Sequence, residues 1–386
     1  MKVFDVIIIG AGPSGSTCAL ALANSGLQVA VIEKASFPRD KVCGDAVAAY
    51  VPKVLTSIHP KYGEAVNSFL EKTTVNTCRI IAPNEKFIDV RSNENGFISK
   101  RLHWDSFLYE LTAAEPNITC FLQHEVTDVV IKDEKAIVTA NNKLFTSKLV
   151  IACDGAHSNT SKKLTPNTTD LNHYSGAVRA YYTNVTGFSN NTYELHFLKE
   201  LLPGYFWIFP MRNQQANVGV CIPTKFIKKR SMNLRHTMNE IIANHPVIKE
   251  RFKNAQLTGK IEGYGLPLGS TKKVVSGAHF MICGDAASLI DPATGEGIGQ
   301  SMISGRYAGW QALKCFEQQD FSAGFMKQYE IELYKKLWRN ARISYRIQHL
   351  FFQHEQLFNT VFSLLSKTKF LKKYILKQVV KVADRK

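Results

Sequence analysis

The first 34 residues constrain the fold more than any other stretch of this chain. "FDVIII" is a continuous apolar run, as a parallel strand covered on both faces requires. Gly10-x-Gly12-x-x-Gly15 follows at once, with Ser14 inside the turn. After it come the helical "STCALALANSG" and a second apolar run, "LQVAVIE", ending on Glu33. Glycines there let the backbone turn sharply and approach a pyrophosphate, which rests on the helix N-terminus where free N–H groups and the dipole favour negative charge. A carboxylate at Glu33 can then accept from ribose hydroxyls. A lone glycine motif is weak, but strand, glycines, helix, strand and acid in this order predict a dinucleotide site.

Two later segments indicate which dinucleotide. "KLVIACDGAHS" reads as a buried strand ending at Asp154-Gly155, and "FMICGD" as another ending at Asp285. A loop and a glycine-rich helix start follow, at Gly295, Gly297 and Gly299. Asp285, at the carboxyl end of a strand, is placed to hold a polyol chain. The N–H groups near Gly297 and Ile298 can face the pyrimidine end of a flavin, where a helix dipole stabilises negative charge.

With these residues in place the chain resembles the FAD-dependent oxidoreductases of the aromatic-hydroxylase fold, and within them the geranylgeranyl reductase family. The likeness rests on Gly10, Gly12, Gly15, Glu33, "KVCGDAV", Arg101 before "LHWDSFLYEL", Asp154-Gly155, Asp285 and Gly297-Ile298. It spans nearly the whole chain and is weakest after about residue 330. The resemblance implies FAD as cofactor, with Arg101 and the backbone at Val126 lining it. It also sets Cys43, Gly44 and Ala46 against the flavin's reactive face. No second dinucleotide fingerprint is present, so reduced nicotinamide or another reductant is expected as a transient electron donor.

The expected architecture is α/β. A Rossmann-like FAD-binding domain is assembled from 1–73, 99–164 and 269–330, with "VTDVVIKDEKAIVTANNKLFTSKLVIAC" as a three-stranded meander inside it. A second, antiparallel-sheet substrate domain comes from 74–98 and 165–268, and a basic helical region fills 331–386. Within the second domain "PGYFWIFP" packs four aromatics into five positions between two prolines. Side chains alternate along a strand, so Tyr205, Trp207 and Phe209 share one face, while Phe206 and Ile208 share the other. Ordinary sheet core accounts for apolar faces. A tyrosine and a tryptophan bring polar atoms, however, and Tyr-x-Trp-x-Phe-Pro resembles the pattern with which the reductase family lines its cavity. Tyr205, Trp207 and Phe209 are therefore the expected substrate wall.

Cys43 reads either as a small buried residue beside a glycine or as a functional thiol. Arg39 and Lys41 nearby in sequence can lower a thiol pKa, and the resemblance implies that it faces the substrate cavity near the flavin, as a shaper of the site or a proton source. No pair of the eight cysteines has C-x-x-C spacing, which gives little support to a zinc site or iron–sulfur cluster, and their mostly apolar contexts fit buried free thiols in a reducing cytoplasm. His103, Trp104 and His157 read as structural. No histidine–acid group has metal-ligand spacing, so no metal is expected. The balance of 48 basic to 32 acidic residues favours anionic partners, but no nucleic-acid motif is present. From Lys367 to Lys386 the chain is basic and amphipathic, fit to dock on its own protein or to touch an anionic membrane peripherally. No stretch reaches the roughly 20 apolar residues of a membrane span.

The leading expectation is reduction of carbon–carbon double bonds in an isoprenoid or similar apolar small-molecule substrate. The alternative on the same fold is an oxygen-using monooxygenase or halogenase, although the W-x-W-x-I-P pattern of a halogenase is absent. A quinone-linked electron carrier would want a cysteine-bound cluster. A binding protein with an idle flavin is disfavoured by the complete set of cofactor residues.

Overall fold

A computed structural model describes residues 2–350 and 352–367. Short, wholly apolar runs become parallel neighbours in a six-stranded sheet. Its order is Ser276–Gly277, Phe280–Ile282, Leu149–Ala152, Val6–Ile9, Val29–Ile32 and Ile118–Phe121, with only the first strand antiparallel. Val6–Ile9 is central and fully buried, as its unbroken hydrophobicity demands. The helix Pro13–Ala21 leaves this strand and packs on a second helix, Ile298–Gln318. A Cβ at Gly305 would lie 2.1 Å from the Ser14 carbonyl oxygen, so the two helices meet backbone to backbone.

A second sheet has four strands in the order Lys2–Val3, Lys143–Ser147, Lys135–Ala140 and Val126–Lys132. The expected meander is thus divided. Its last stretch breaks at Lys148, and Leu149–Ala152 crosses into the six-stranded sheet.

The third sheet has eight strands in the order Gln256–Pro267, Tyr174–Thr183, Ala216–Pro223, Tyr205–Pro210, Thr192–His196, Thr73–Ile81, Phe87–Ile98 and Ala46–Val47. It is antiparallel except between Thr192–His196 and Thr73–Ile81. Ala46–Val47 belongs to the loop that follows Cys43, so this sheet reaches directly under the nucleotide end. One face packs on Met238, Ile241 and Ile248 of the helices Leu234–Asn244 and Pro246–Arg251. The other packs partly on Phe358, Phe362 and Leu365 of the helix Glu355–Lys367.

The C-terminal region is helical, beginning with Ala323–Leu350, ahead of the boundary expected at 331. The basic stretch from 368 to 386 lies outside the described residues. Among the described residues no helix is long and apolar enough to cross a membrane.

Candidate active site

At two of its three glycines the turn leaves no room for a side chain. Gly10 sits at φ +97°, and a Cβ there would lie 2.5 Å from the Cys153 carbonyl oxygen. A Cβ at Gly15 would lie 1.8 Å from the Gly10 carbonyl oxygen. Gly12 differs, because a Cβ there would meet nothing nearer than Arg39 at 3.6 Å. What Gly12 spares is space over the N-terminus of Pro13–Ala21, which has no side-chain cap. Gly297 opens the helix Ile298–Gln318, again with no side-chain cap and no acid in the first turn. Both N-termini border one cavity of about 1140 Å³, as do Glu33, Arg101, Val126, Asp154 and Asp285. Two uncapped, electropositive helix ends suit a pyrophosphate and a flavin's pyrimidine edge. The buried Asp154 Oδ1, without a protein partner, offers a further acceptor. The donor set fits FAD.

Several of the predicted residues have protein partners as well. Glu33 accepts from the Ala11 and Ala35 N–H groups at 2.8 and 3.1 Å, so it pins the turn besides facing the cavity. Arg101 is buried and bidentate on Asp105, at 2.6 and 2.8 Å. Asp285 accepts from Lys41 Nζ at 2.9 Å.

These pairings correct the lowered pKa expected of the Cys43 thiol. Arg39 is drawn to Asp105, at 2.9 Å, and Lys41 to Asp285. Burial pushes the Cys43 thiol up, and the pull of Arg101 and Lys41 does not offset it. At neutral pH Cys43 is a thiol bordering the cavity, not an activated thiolate.

The strand Tyr205–Pro210 divides its side chains between two surfaces. Phe206 and Ile208 enter the core around Met238 and Ile241. Tyr205, Trp207 and Phe209 turn to the cavity, with Val75, Ile80 and Leu195 beside them. Their polar atoms are satisfied. The Tyr205 hydroxyl donates to the Thr294 carbonyl at 2.5 Å, and Trp207 Nε1 donates to Asn217 Oδ1 at 2.9 Å. Gly44 lies against the wall, where a Cβ would come within 3.1 Å of the Phe209 ring. The aromatic wall, the Cys43 loop and the dinucleotide cradle therefore form one continuous surface.

Sequence reasoning missed two residues at this junction. Asp45, next to Gly44, is fully buried at φ +65°. Its Oδ2 accepts from the Tyr181 hydroxyl at 2.7 Å and from Asn217 Nδ2 at 2.9 Å, while Oδ1 has no partner. Burial raises its carboxyl pKa to about 6, against the lowering effect of Tyr181, Asn217 and Arg179. Asn217 is also fully buried, in the otherwise apolar "ANVGVCIP". An acid beside the glycine of "KVCGDAV" and an amide inside an apolar strand were the available signs.

This fold, three sheets with a dinucleotide cradle, is that of the FAD-dependent oxidoreductases. The FAD-dependent oxidoreductase family model matches residues 5–156, and the geranylgeranyl reductase catalytic domain matches 173–261. A digeranylgeranylglycerophospholipid reductase of Thermoplasma volcanium is 30% identical, covering 86% of this chain and 83% of the relative. Among solved structures, a geranylgeranyl bacteriochlorophyll reductase-like protein from Thermoplasma acidophilum superposes with a TM-score of 0.80. It is 27% identical over 90% of this chain and 87% of its own. The halogenase PltM, solved with phloroglucinol and FAD, shares the fold at a TM-score of 0.78 and 16% identity, over 98% and 83% of the two chains. The chain belongs to the geranylgeranyl reductase family of FAD-dependent oxidoreductases.

Proposed function

We propose that this protein reduces carbon–carbon double bonds in an isoprenoid chain held along Tyr205, Trp207 and Phe209. The observation that carries this reading is the continuity of that wall with the Cys43 loop and the dinucleotide cradle. The relatives named for reducing geranylgeranyl lipids support the substrate class. On this reading the eight-stranded sheet supplies the substrate surface and the six-stranded sheet holds the cofactor.

FAD, when bound and reduced, supplies the hydride. The chain's own residues do the rest. Gly12, Ser14 and the N-terminus of Pro13–Ala21 would hold the pyrophosphate, and Asp285 and Asp154 would accept from hydroxyls. The N–H groups at Gly297 and Ile298 would hold the flavin's carbonyl edge. The aromatic wall excludes water and aligns the chain with the flavin face. Delivery of a hydride to one alkene carbon requires a proton at the other. Cys43, Tyr50 and Tyr193 border the cavity with pKa values raised above their ordinary range, the first two mainly by burial and Tyr193 chiefly by the neighbouring Cys78 thiol. Each keeps its proton at neutral pH, which makes Cys43, beside the wall, our candidate donor. Reduced nicotinamide or another reductant would serve as the transient electron donor. The basic run from 367 to 386 would bring the enzyme to an anionic bilayer holding its substrate.

The test is anaerobic stopped flow. Chemically reduced holoenzyme is mixed with geranylgeraniol in detergent micelles. Flavin reoxidation without oxygen, and a product two hydrogens heavier by mass spectrometry, are expected. Reoxidation that occurs only with oxygen would assign the protein to the monooxygenase or halogenase alternative.

A further inference from the structure

The strand Ala216–Pro223 is fully buried, and eight residues of ordinary sheet core have no use for an amide. Yet Asn217 sits there opposite Phe209 of the neighbouring strand, on the cavity side. Its Oδ1 accepts from Trp207 Nε1 at 2.9 Å. Its Nδ2 donates to the Cys43 carbonyl at 2.8 Å and to Asp45 Oδ2 at 2.9 Å. The orientation of this amide is not free. An indole nitrogen can only donate and a carbonyl can only accept, so flipping Asn217 would break both contacts at once. One side chain therefore joins the aromatic wall to two points of the loop that carries Cys43.

The surroundings enforce the same geometry. Gly219 faces Trp207 across the strand pair, and a Cβ there would stand 2.3 Å from the indole ring. Only glycine lets the ring lie down on the neighbouring strand with Nε1 aimed at Asn217. On the loop side, Asp45 holds a left-handed backbone at φ +65°, a conformation that needs support from outside the loop. That support comes from Asn217, from the Tyr181 hydroxyl, and from the Ser99 N–H donating to the Asp45 carbonyl at 3.0 Å.

We propose that Asn217 is a positioning residue for substrate reduction: its single amide ties the wall that holds the alkene to the loop that lies at the flavin, fixing the gap between them. This rests on the proposed reading of Tyr205, Trp207 and Phe209 as the substrate surface. Neither Asn217 nor Asp45 needs to touch substrate for this role. A ternary geometry set to within a fraction of an ångström is what hydride transfer requires, and a slack joint here would cost rate more than affinity.

Asn217→Ala tests the tie most cleanly, because it leaves the rings of the wall intact; Trp207→Phe removes the Nε1 donor together with the outer part of the indole that rests on Gly219. Asn217→Ala removes all three contacts. In FAD-loaded protein, alkylation of Cys43 by N-ethylmaleimide is followed by peptide mass spectrometry. The half-buried Cys120, on the far edge of the six-stranded sheet, is the internal control. Loosening the loop should speed Cys43 alkylation about five- to tenfold in both variants, with Cys120 unchanged. In anaerobic stopped flow the saturating rate of alkene-dependent flavin reoxidation should fall about tenfold in both variants, while the half-saturating substrate concentration changes little in Asn217→Ala and rises in Trp207→Phe, which also loses part of the wall. The double variant should be no slower than Asn217→Ala alone, since both changes break one joint. If Asn217→Ala does not fold, Trp207→Phe carries both measurements. Unaltered Cys43 alkylation in the folded variants would overturn the tie. Faster alkylation with an undiminished reoxidation rate would overturn its positioning role. Wild-type protein that no alkene reoxidises would instead overturn the proposed function, with the alkylation rates still reporting on the tie.

Discussion

The two faces of the strand Tyr205–Pro210 are equally apolar in sequence and yet differ in what surrounds them. Phe206 and Ile208 have no exposure at all and are packed by aliphatic side chains of the covering helices. Tyr205, Trp207 and Phe209 keep 6%, 5% and 7% of their surface and border the cavity. Hydrophobicity does not separate the two. The polar atoms do: the core face has none, whereas the cavity face has a phenol and an indole, each with a designated acceptor. A wall must stay ordered without packing on its open side, and hydrogen bonds along its edges supply that order. The core face relies on close packing alone.

The sharpest break of this comparison is Phe206→Ala. It should cost about 3 to 5 kcal/mol of unfolding free energy through a core cavity, read from urea or thermal denaturation. FAD content per folded molecule should not change. A comparable loss of FAD would mean that the two faces are not mechanically separate.

The second prediction concerns the buried carboxyl attached to the cavity side. Burial raises the Asp45 pKa from 3.8 to about 6 in the folded protein. The folded state therefore holds this proton more tightly than the unfolded chain. The associated stability is complete below about pH 4 and is lost as pH rises through about 6, on the order of 3 kcal/mol. Arg179, Tyr181 and Asn217 moderate the shift and Asp40 adds to it. Asp45→Asn removes the titration. Relative to this variant, wild type should lose stability between pH 4 and pH 8. Parallel stability curves for the two proteins would remove Asp45 from the account.

What was legible in the sequence follows from how far apart the interacting residues are. The dinucleotide cradle could be read because its parts are local: strand, Gly10, Gly12, Gly15 and helix follow one another, with Gly15 answering a steric demand five residues away and Gly10 one on the neighbouring strand. The alternation of Tyr205, Trp207 and Phe209 was likewise local. The state of the Cys43 thiol was not. Arg39 and Lys41 looked available, but their partners Asp105 and Asp285 lie 66 and 244 positions away, and burial then dominates. The joint at Asn217 spans 172 residues to Asp45, a pairing that no window of sequence displays. The split of the expected meander at Lys148 depends on which sheet offers the next free edge. It is equally invisible to local pattern.

The third prediction tests the cavity face itself. Trp207→Ala removes the largest ring of the wall and leaves Asn217 Oδ1 without its donor. Substrate affinity should weaken by about 1 to 3 kcal/mol, measured by titrating an isoprenoid alcohol against the oxidised flavin spectrum. Stability should fall by less than for Phe206→Ala, because the ring's open side has no packed neighbours to lose. Reversal of that order, with Trp207→Ala the more destabilised and its affinity intact, would make the strand core on both faces.

The smallest effect is expected at Gly44, where the loop leans on the wall. A Cβ at this position would stand 3.1 Å from one Phe209 ring carbon and 3.8 Å from Trp207, closer than a relaxed contact but within what a small ring shift relieves. The backbone at Gly44 does not have positive φ, so alanine adds bulk without imposing a forbidden conformation. Gly44→Ala should therefore fold with FAD bound and lose no more than about 1 kcal/mol of stability. The added methyl crowds Phe209 and narrows the space between loop and wall along which the substrate chain would run. Long, branched isoprenoid alcohols should bind several-fold more weakly, and short ones should bind nearly as well as to wild type, since a single methylene in an apolar site is worth about 1 to 3 kcal/mol. The measurement is the ratio of affinities for a short and a long isoprenoid alcohol in the same preparation. An unchanged ratio would place the chain away from Phe209 and confine the substrate surface to Tyr205 and Trp207.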